Sequence, residues 1–347
     1  MSQIPTTAQA WRLHKLGHLA DAIQEDTVPT PSPGDGEVLV KLSHASLNPV
    51  DYKIVGLLPR TVGADFSGEI VSVAQGSHAS WVKQGVRVYG IWSADKAMGN
   101  GRGSLSTYLT IPSKCVAPIP PSLDYESAAG IALTGLTAFS LNETFEKGWK
   151  VFIVGGSTSV GLAAADIAKA KGASLVVASA SGEKKNVLKQ RGVDEVIDYK
   201  EVDVAGELSL RYKDQPFDVI FDCVGDRFIH AKCPAFLKPT GEYRSVGASS
   251  LSPESRIWSA ESRSLGLWFF RALILPSFLG GIPRKFRLLG LKDDDLSKLD
   301  DFVQSGQLRP VVDKTYPWNE AREAIKYLAT GRALGKVNIA APVAPAA

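Results

Sequence analysis

At 347 residues the chain exceeds the size at which a single hydrophobic core usually stops growing, so two domains are expected. Its 44% hydrophobic and 22% charged residues are those of an ordinary globular protein, and a net charge of +3 excludes the strongly basic surface of a nucleic-acid binder. Three scattered cysteines exclude a disulfide framework, and "MSQIPTTAQAWRLHKLG" lacks the basic flank and apolar core of a secretory signal, so a cytoplasmic location is the expectation.

In chain order, the first elements are short β-like runs. "EVLVKLSHASL", "GEIVSVAQG" and "GVRVYGIW" alternate apolar with polar residues, and Pro29, Pro31, Pro33, Gly34 and Gly36 punctuate their start. Beyond about residue 125 the texture changes to strand alternating with helix: "VFIV" and an Ala-rich helix, "SLVVASA" and "EKKNVLKQRG", then "EVIDY", "FDVIFDCVG" and "GEYRSVG". This is an α/β pattern, a doubly wound parallel sheet written in one dimension. The closing helix "WNEAREAIKYLATG" and strand "GKVNIAA" are too short to form a domain and are expected to pack back onto the first one. The expected division is therefore 1–125 with 295–347 as a β-rich domain, and 126–294 as a nucleotide-binding domain carrying an apolar insert at 264–283.

The turn "VGGSTSVG" decides what class of nucleotide is bound. A triphosphate-binding loop needs a Lys after its last Gly, and Leu162 stands there; a hydrolase elbow needs a Gly two residues past its Ser, and Ser159 stands there. A dinucleotide turn fits: Gly155 turns the chain after the strand, Gly161 lets helix and strand approach, and the helix N-terminus faces a pyrophosphate. Gly155, Gly156, Ser157, Thr158, Ser159 and Val160 are the expected cradle, with the three hydroxyls as donors where the usual middle Gly is Thr158. After the second strand, where an NAD enzyme places an acid, the chain has Ser181, Lys184 and Lys185, which suit a 2′-phosphate and hence NADPH; Glu183 among them is the contrary sign. Strand carboxyl ends bring Tyr199 to the adenosine and Val224, Gly225, Val246 and Gly247 to the ribose and nicotinamide. Asp222 reads as a structural residue of its loop.

Together "SLNPVDYK", "GADFSGEIVSV", "GSLSTYLTIP", "ESAAGIALTGLTAF", "VGGSTSVG", "GVDEVIDYK", "DVIFDCVG", "GEYRSVG" and "GKVNIAA" resemble the medium-chain dehydrogenase/reductase superfamily, in the zinc-free quinone and enoyl reductase branch that includes fungal trans-acting enoyl reductases. The resemblance implies a GroES-like β-rich domain, a Rossmann domain and an NAD(P)H nicotinamide between them. Metal-dependent members place a Cys where Asn48 stands and a His-Glu pair where Ala64 and Asp65 stand, so no metal is expected, and His14 and His18 read as surface residues. Hydride transfer to a quinone or to a carbonyl-conjugated double bond suits a site that polarises its substrate by hydrogen bonds. By resemblance Asn48 lies beside the nicotinamide ribose, Lys53 is the candidate oxyanion or proton donor with Tyr52 as its alternative, Thr137 lies near the nicotinamide, and Lys336 and Val337 add a nucleotide contact. The rival reading is a protein of this fold that binds NADPH with little turnover, as a sensor or membrane-associated partner. Short-chain reductases are excluded because no Tyr has a Lys four residues on.

The segment "LGLWFFRALILPSFLGGIPRKF" carries Arg271 and Pro276 within its apolar run, which argues against a membrane span. Burial as a lid or as extra core, self-association and lipid contact all remain open to it. The reading carried forward is a homodimer contact or a peripheral membrane contact through 264–287, the latter helped by the basic "RKFR".

Overall fold

The computed structural model describes residues 3–15, 18–53, 60–92, 101–246, 281–290 and 295–342, with side chains left out at Tyr52 and Lys53. Gly247 and most of the apolar insert lie outside these residues. The chain divides into two units: Met1–Leu136 with Asp293–Gln304 and Pro310–Ala347, and Thr137–Lys292 with Ser305–Arg309.

The first unit opens with β1 (Thr7–Leu13) and β2 (Ile23–Pro29), an antiparallel pair extended by the short β4 (Arg60–Thr61). A second sheet of seven strands is built on the long β3 (Glu37–Leu47). Around it lie β5 (Asp65–Val73), β6 (Arg87–Ile91), β7 (Tyr108–Pro112) and β8 (Val116–Pro118). The second unit holds β9 (Lys150–Val154), β10 (Leu175–Ala180), β11 (Glu195–Asp198), β12 (Phe217–Asp222), β13 (Leu237–Ser245) and β14 (Lys285–Leu288). The chain then returns to the first unit, where β15 (Val312–Tyr316) pairs with β16 (Lys336–Ala340) and β16 lies antiparallel beside β3.

The six strands of the second unit are parallel and run β11-β10-β9-β12-β13-β14 across the sheet. Renumbered from its first strand this is the order 3-2-1-4-5-6 of a dinucleotide-binding sheet, whose direction of winding reverses between β9 and β12. Phe152, Val154, Val177, Ile220 and Tyr243 sit in one apolar cluster of the unit. Such continuous burial explains why the strands read as apolar runs rather than as alternation.

In the first unit the alternation of β3 and β16 has an unusual outcome, because both faces are buried. Ala45, Leu47, Val337 and Ile339 join an apolar cluster with Trp11, Ile23, Trp318 and Ile325 from the helix-bearing side. The opposite face carries Ser46, Asn48, Lys336 and Asn338, all buried, and the register sets Asn338 opposite Ser46 and Ser46 opposite Asp65. The helix Tyr125–Ala128 and the start of the helix Ala132–Asn142 cover this polar face. Ser67 donates to the Tyr125 carbonyl at 2.6 Å, Asn338 donates to the Glu126 carbonyl at 2.8 Å, and the Leu133 N–H donates to Asp65 at 2.8 Å. Helix ends leave backbone groups without internal partners, and here a polar sheet face supplies them. The same bonds explain why the division falls at Leu136, beyond the expected residue 125: these two helix segments complete the first sheet.

The basic run Arg284–Arg287 belongs to the last parallel strand. It is β14 itself: Phe286 is buried against His230 and Tyr243, ring centroids 4.7 and 5.9 Å away. Lys285 and Arg287 both reach Glu242, and Arg284 donates to the Leu237 and Pro234 carbonyls. The pairing gives these residues a place within the sheet, whatever surface the exposed parts of Lys285 and Arg287 meet.

Gly161 tests the close packing of strand and helix, because a Cβ there would lie 2.4 Å from the Gly155 carbonyl oxygen and 2.8 Å from the Gly156 Cα. Backbone cannot give way cheaply, so Gly161→Ala should lower the unfolding free energy by about 1–3 kcal/mol. A urea titration of the variant with an unchanged midpoint would show that the turn yields.

Candidate functional site

At the winding reversal the chain makes the turn that the sequence predicts. Gly155 has φ +74°, and a Cβ on it would lie 2.5 Å from Val224 Cγ1 at the end of β12, so only glycine fits on both counts. The Gly155 and Gly156 N–H groups donate to Ser179 Oγ at 3.1 Å and to the Ser179 carbonyl at 2.9 Å, which anchors the turn to β10. The helix Ser159–Ala170 follows, and its N-cap Thr158 accepts from the Gly161 N–H at 3.0 Å while donating its own proton to the Gly155 carbonyl at 2.8 Å. The Thr158 hydroxyl proton is therefore committed within the turn, and the expected hydroxyl donation to phosphate falls to Ser157 and Ser159. With Gly161 capped, the Ser159 and Val160 N–H groups at the helix start, which have no intrahelical acceptor, form the positive end of the helix dipole. A pyrophosphate fits this donor set.

Around the turn, Ser181 is buried directly after β10, Lys184 is half-buried and Lys185 exposed. Glu183, the contrary sign in the sequence, is turned to Lys200, 3.3 Å away. An acid the sequence reading did not single out stands nearby: Asp198, at the end of β11, accepts from the Gly182 N–H at 2.7 Å and from the Lys200 N–H at 2.9 Å. Tyr199 follows it and is 57% exposed, a free aromatic face at a strand's carboxyl end. Val224 and Gly225 are held by Asp222, which accepts their N–H groups at 3.1 and 2.7 Å, the Asp226 N–H at 2.9 Å and the Tyr243 hydroxyl at 3.0 Å. Burial pushes the Asp222 carboxyl up and these donors pull it back, a structural role as the sequence suggests. Val246 donates its N–H to the Asp222 carbonyl, and Thr137 is buried on the helix Ala132–Asn142.

A second cluster lies on the polar sheet face of the first unit. Asn48 starts the helix Pro49–Lys53, with Pro at the first helical position and Asp51 two residues on. The Asn48 N–H donates to Asp51 Oδ2 at 2.7 Å, the backbone half of a capping box visible in "NPVD". Asn48 Nδ2 donates to the Ser46 carbonyl at 3.3 Å and to Asp65 Oδ2 at 3.0 Å, while Asn48 Oδ1 accepts from Lys336 Nζ at 2.5 Å. Lys336 Nζ also lies 3.0 Å from Asp65 Oδ2, and Asp65 Oδ1 takes the Leu133 N–H. A carboxamide has two N–H donors, and both are spent here, so Asn48 is left as an acceptor. Val337 is fully buried in the apolar cluster.

Burial pushes the Asp51 carboxyl up to about 7, opposed by the Asn48 N–H and by the charges of Lys336 and Arg60, and aided by Asp65. Burial likewise lowers the Arg60 guanidinium, with Asp51 acting against it.

Comparison with known proteins places these features. A family profile described as "Alcohol dehydrogenase GroES-like domain" matches residues 34–121, and one described as "Zinc-binding dehydrogenase" matches residues 191–338. The chain is 31% identical to a trans-enoyl reductase of Aspergillus terreus over 97% of each chain. It is 29% identical to an NADPH-dependent alkenal/one oxidoreductase of Arabidopsis thaliana, over 97% of this chain and 80% of the other. Among solved structures it matches the quinone oxidoreductase of Coxiella burnetii with a TM-score of 0.77 and 25% identity, covering 97% of this chain and 100% of that one. A nicotinamide cofactor accords with the cradle at Gly155. The zinc in the second profile's description does not accord with the first unit's cluster, where an ammonium already bridges Asn48 and Asp65 and, among the described residues, no sulfur or imidazole ligand joins them. Among the described residues no group of three or more His, Cys, Asp or Glu could hold a metal ion.

The raised Asp51 pKa carries a signed prediction. An unfolded Asp ionises near 3.8, whereas the folded carboxyl keeps its proton to about 7. Between these values the folded state binds more protons, so stability falls as pH rises through the window and levels above it. Three pKa units bound the loss at about 4 kcal/mol. Asp51→Asn keeps an oxygen for the Asn48 N–H and removes the titration, so denaturation measured from about pH 5 to about pH 8 should show the parent declining and the variant nearly flat. Parallel profiles for the two proteins would refute the assignment.

Proposed function

The chain belongs to the medium-chain dehydrogenase/reductase superfamily, in its zinc-free enoyl and quinone reductase branch, and from that premise we propose an NADPH-dependent, metal-independent reductase of quinones or of carbon–carbon double bonds conjugated to a carbonyl. The observation that carries this reading is the capped helix start after Gly155 at the winding reversal of the six-stranded sheet, where sheets of this kind take a dinucleotide. When bound, the cofactor supplies the hydride. The chain's own residues bind, orient and donate.

In this reading Gly155, Gly156, Ser157, Ser159 and Val160 hold the pyrophosphate, Thr158 through its capping of the turn. Tyr199 packs on the adenosine, while Thr137, Val224, Gly225, Val246 and Gly247 border the ribose and nicotinamide. Ser181, Lys184 and Lys185 receive the 2′-phosphate, with Asp198 fixing their turn through Gly182. Charge-assisted bonds contribute roughly 1.5–3 kcal/mol each, so one suffices for a tenfold preference. NADPH should therefore bind at least about tenfold more tightly than NADH, and changing Lys184 and Lys185 together to Ala should narrow the gap. Equal affinities of the parent in fluorescence titrations would remove the 2′-phosphate from the reading.

Reduction of an enone leaves negative charge on the carbonyl oxygen, and a nearby donor must meet it. The donor that the resemblance implies is Lys53, with Tyr52 as the alternative; both end the helix that Asn48 begins, and the amide protons of Asn48 are themselves already committed. NADPH oxidation against a panel of quinones and enones is the test of the activity. Lys53→Met should lower turnover about 10- to 100-fold with little change in NADPH affinity. An unchanged rate passes the role to Tyr52, and tight NADPH binding without oxidation of any substrate favours the sensor reading.

A further inference from the structure

The cluster around Lys336 has the design of a cation site whose cation is part of the chain. Two oxygens, Asn48 Oδ1 from the helix start that follows β3 and Asp65 Oδ2 from β5, converge on Lys336 Nζ at 2.5 and 3.0 Å. Asn48 is 2% exposed, Asp65 0% and Lys336 3%, so the pair is removed from bulk solvent. The lysine stem lies in a slot that exists because residue 130 is glycine: a Cβ there would be 2.6 Å from Lys336 Cγ and 3.0 Å from Cε. Asp51 and Arg60 are the further charged groups that act on the cluster, and Leu133 supplies a backbone N–H from the covering helix.

We propose that the Lys336 ammonium is the resident cation of the Asn48–Asp65 site, and that it orients the Asn48 carboxamide, whose two N–H groups are already donated, so that toward any further partner this side chain only accepts. Lys336 is thus a positioning residue acting through Asn48. The assignment rests on the first unit's geometry and holds whichever substrate is reduced. Removing the lysine's four terminal atoms leaves an anionic slot of fixed length, whose matching ligand is a primary alkylammonium.

The test is rescue by chemistry. Lys336→Ala should melt well below the parent, and propylammonium chloride should raise its melting temperature, because a ligand bound only by the folded state stabilises it. The parent and Lys336→Met, whose side chain fills the slot, should not respond, and potassium chloride at equal ionic strength should not substitute. A Lys336→Ala protein that melts with the parent, or responds equally to both salts, overturns the proposal. Should Lys336→Ala fail to fold, the pair Lys336→Met and Lys336→Met/Asp65→Asn decides: neutralising Asp65 should bring the double variant back toward the parent. A double variant no more stable than the single one overturns it as well.

Discussion

An ammonium and a carboxylate buried together on one sheet face constrain most of the first unit. Taking both charges from water costs several kcal/mol per ion, and deleting one partner of such a pair commonly costs about 3–5 kcal/mol. Lys336 and Asp65 come from strands at either side of β3, so their attraction ties β16 and β5 across it. Further polar groups of the face bond helix ends that would otherwise hold bare carbonyls and N–H groups. The face is not closed completely, since Ser46 Oγ and Asn338 Oδ1, opposite each other, have no partner among the described residues. Asn48 is fixed as a by-product of this accounting, and its fixed orientation limits what chemistry it can do.

The second unit solves a different problem with backbone. Its sheet has a largely apolar interior, and the polar groups proposed to meet a dinucleotide lie at the carboxyl ends of the strands. Each end is braced from behind: Ser179 holds Gly155 and Gly156, Asp198 holds Gly182, and Asp222 holds the loop through Asp226. Bracing of this kind leaves the outward N–H groups in place before a ligand arrives, which is how affinity is gained without ordering the site on binding.

Much of this was legible in the sequence because its signals are local. Strand, glycine turn and capped helix follow one another directly between Lys150 and Ala170, and the spacing of Gly155 and Gly161 announces their use. The partnership of residues 48, 65 and 336 could not be read in the same way, since no pattern of period two or 3.6 links them; "GKVNIAA" shows only a lysine at one strand position. Asp198 escaped notice because it sits one strand beyond the place where an acid is customary. "RKFR" did not announce its strand for a physical reason: basic residues around one aromatic suit an edge strand whose charges meet Glu242 as well as they suit a lipid surface.

The position of β16 has a consequence for synthesis. The second unit is nearly continuous in sequence, from Thr137 to Lys292, and can assemble as it emerges from the ribosome. The first unit cannot. Its earliest strands appear with Asp65 lacking its counter-charge, and Asn48 its lysine donor, until residue 336 is made, so the part of the protein translated first can complete its sheet only when β16 arrives.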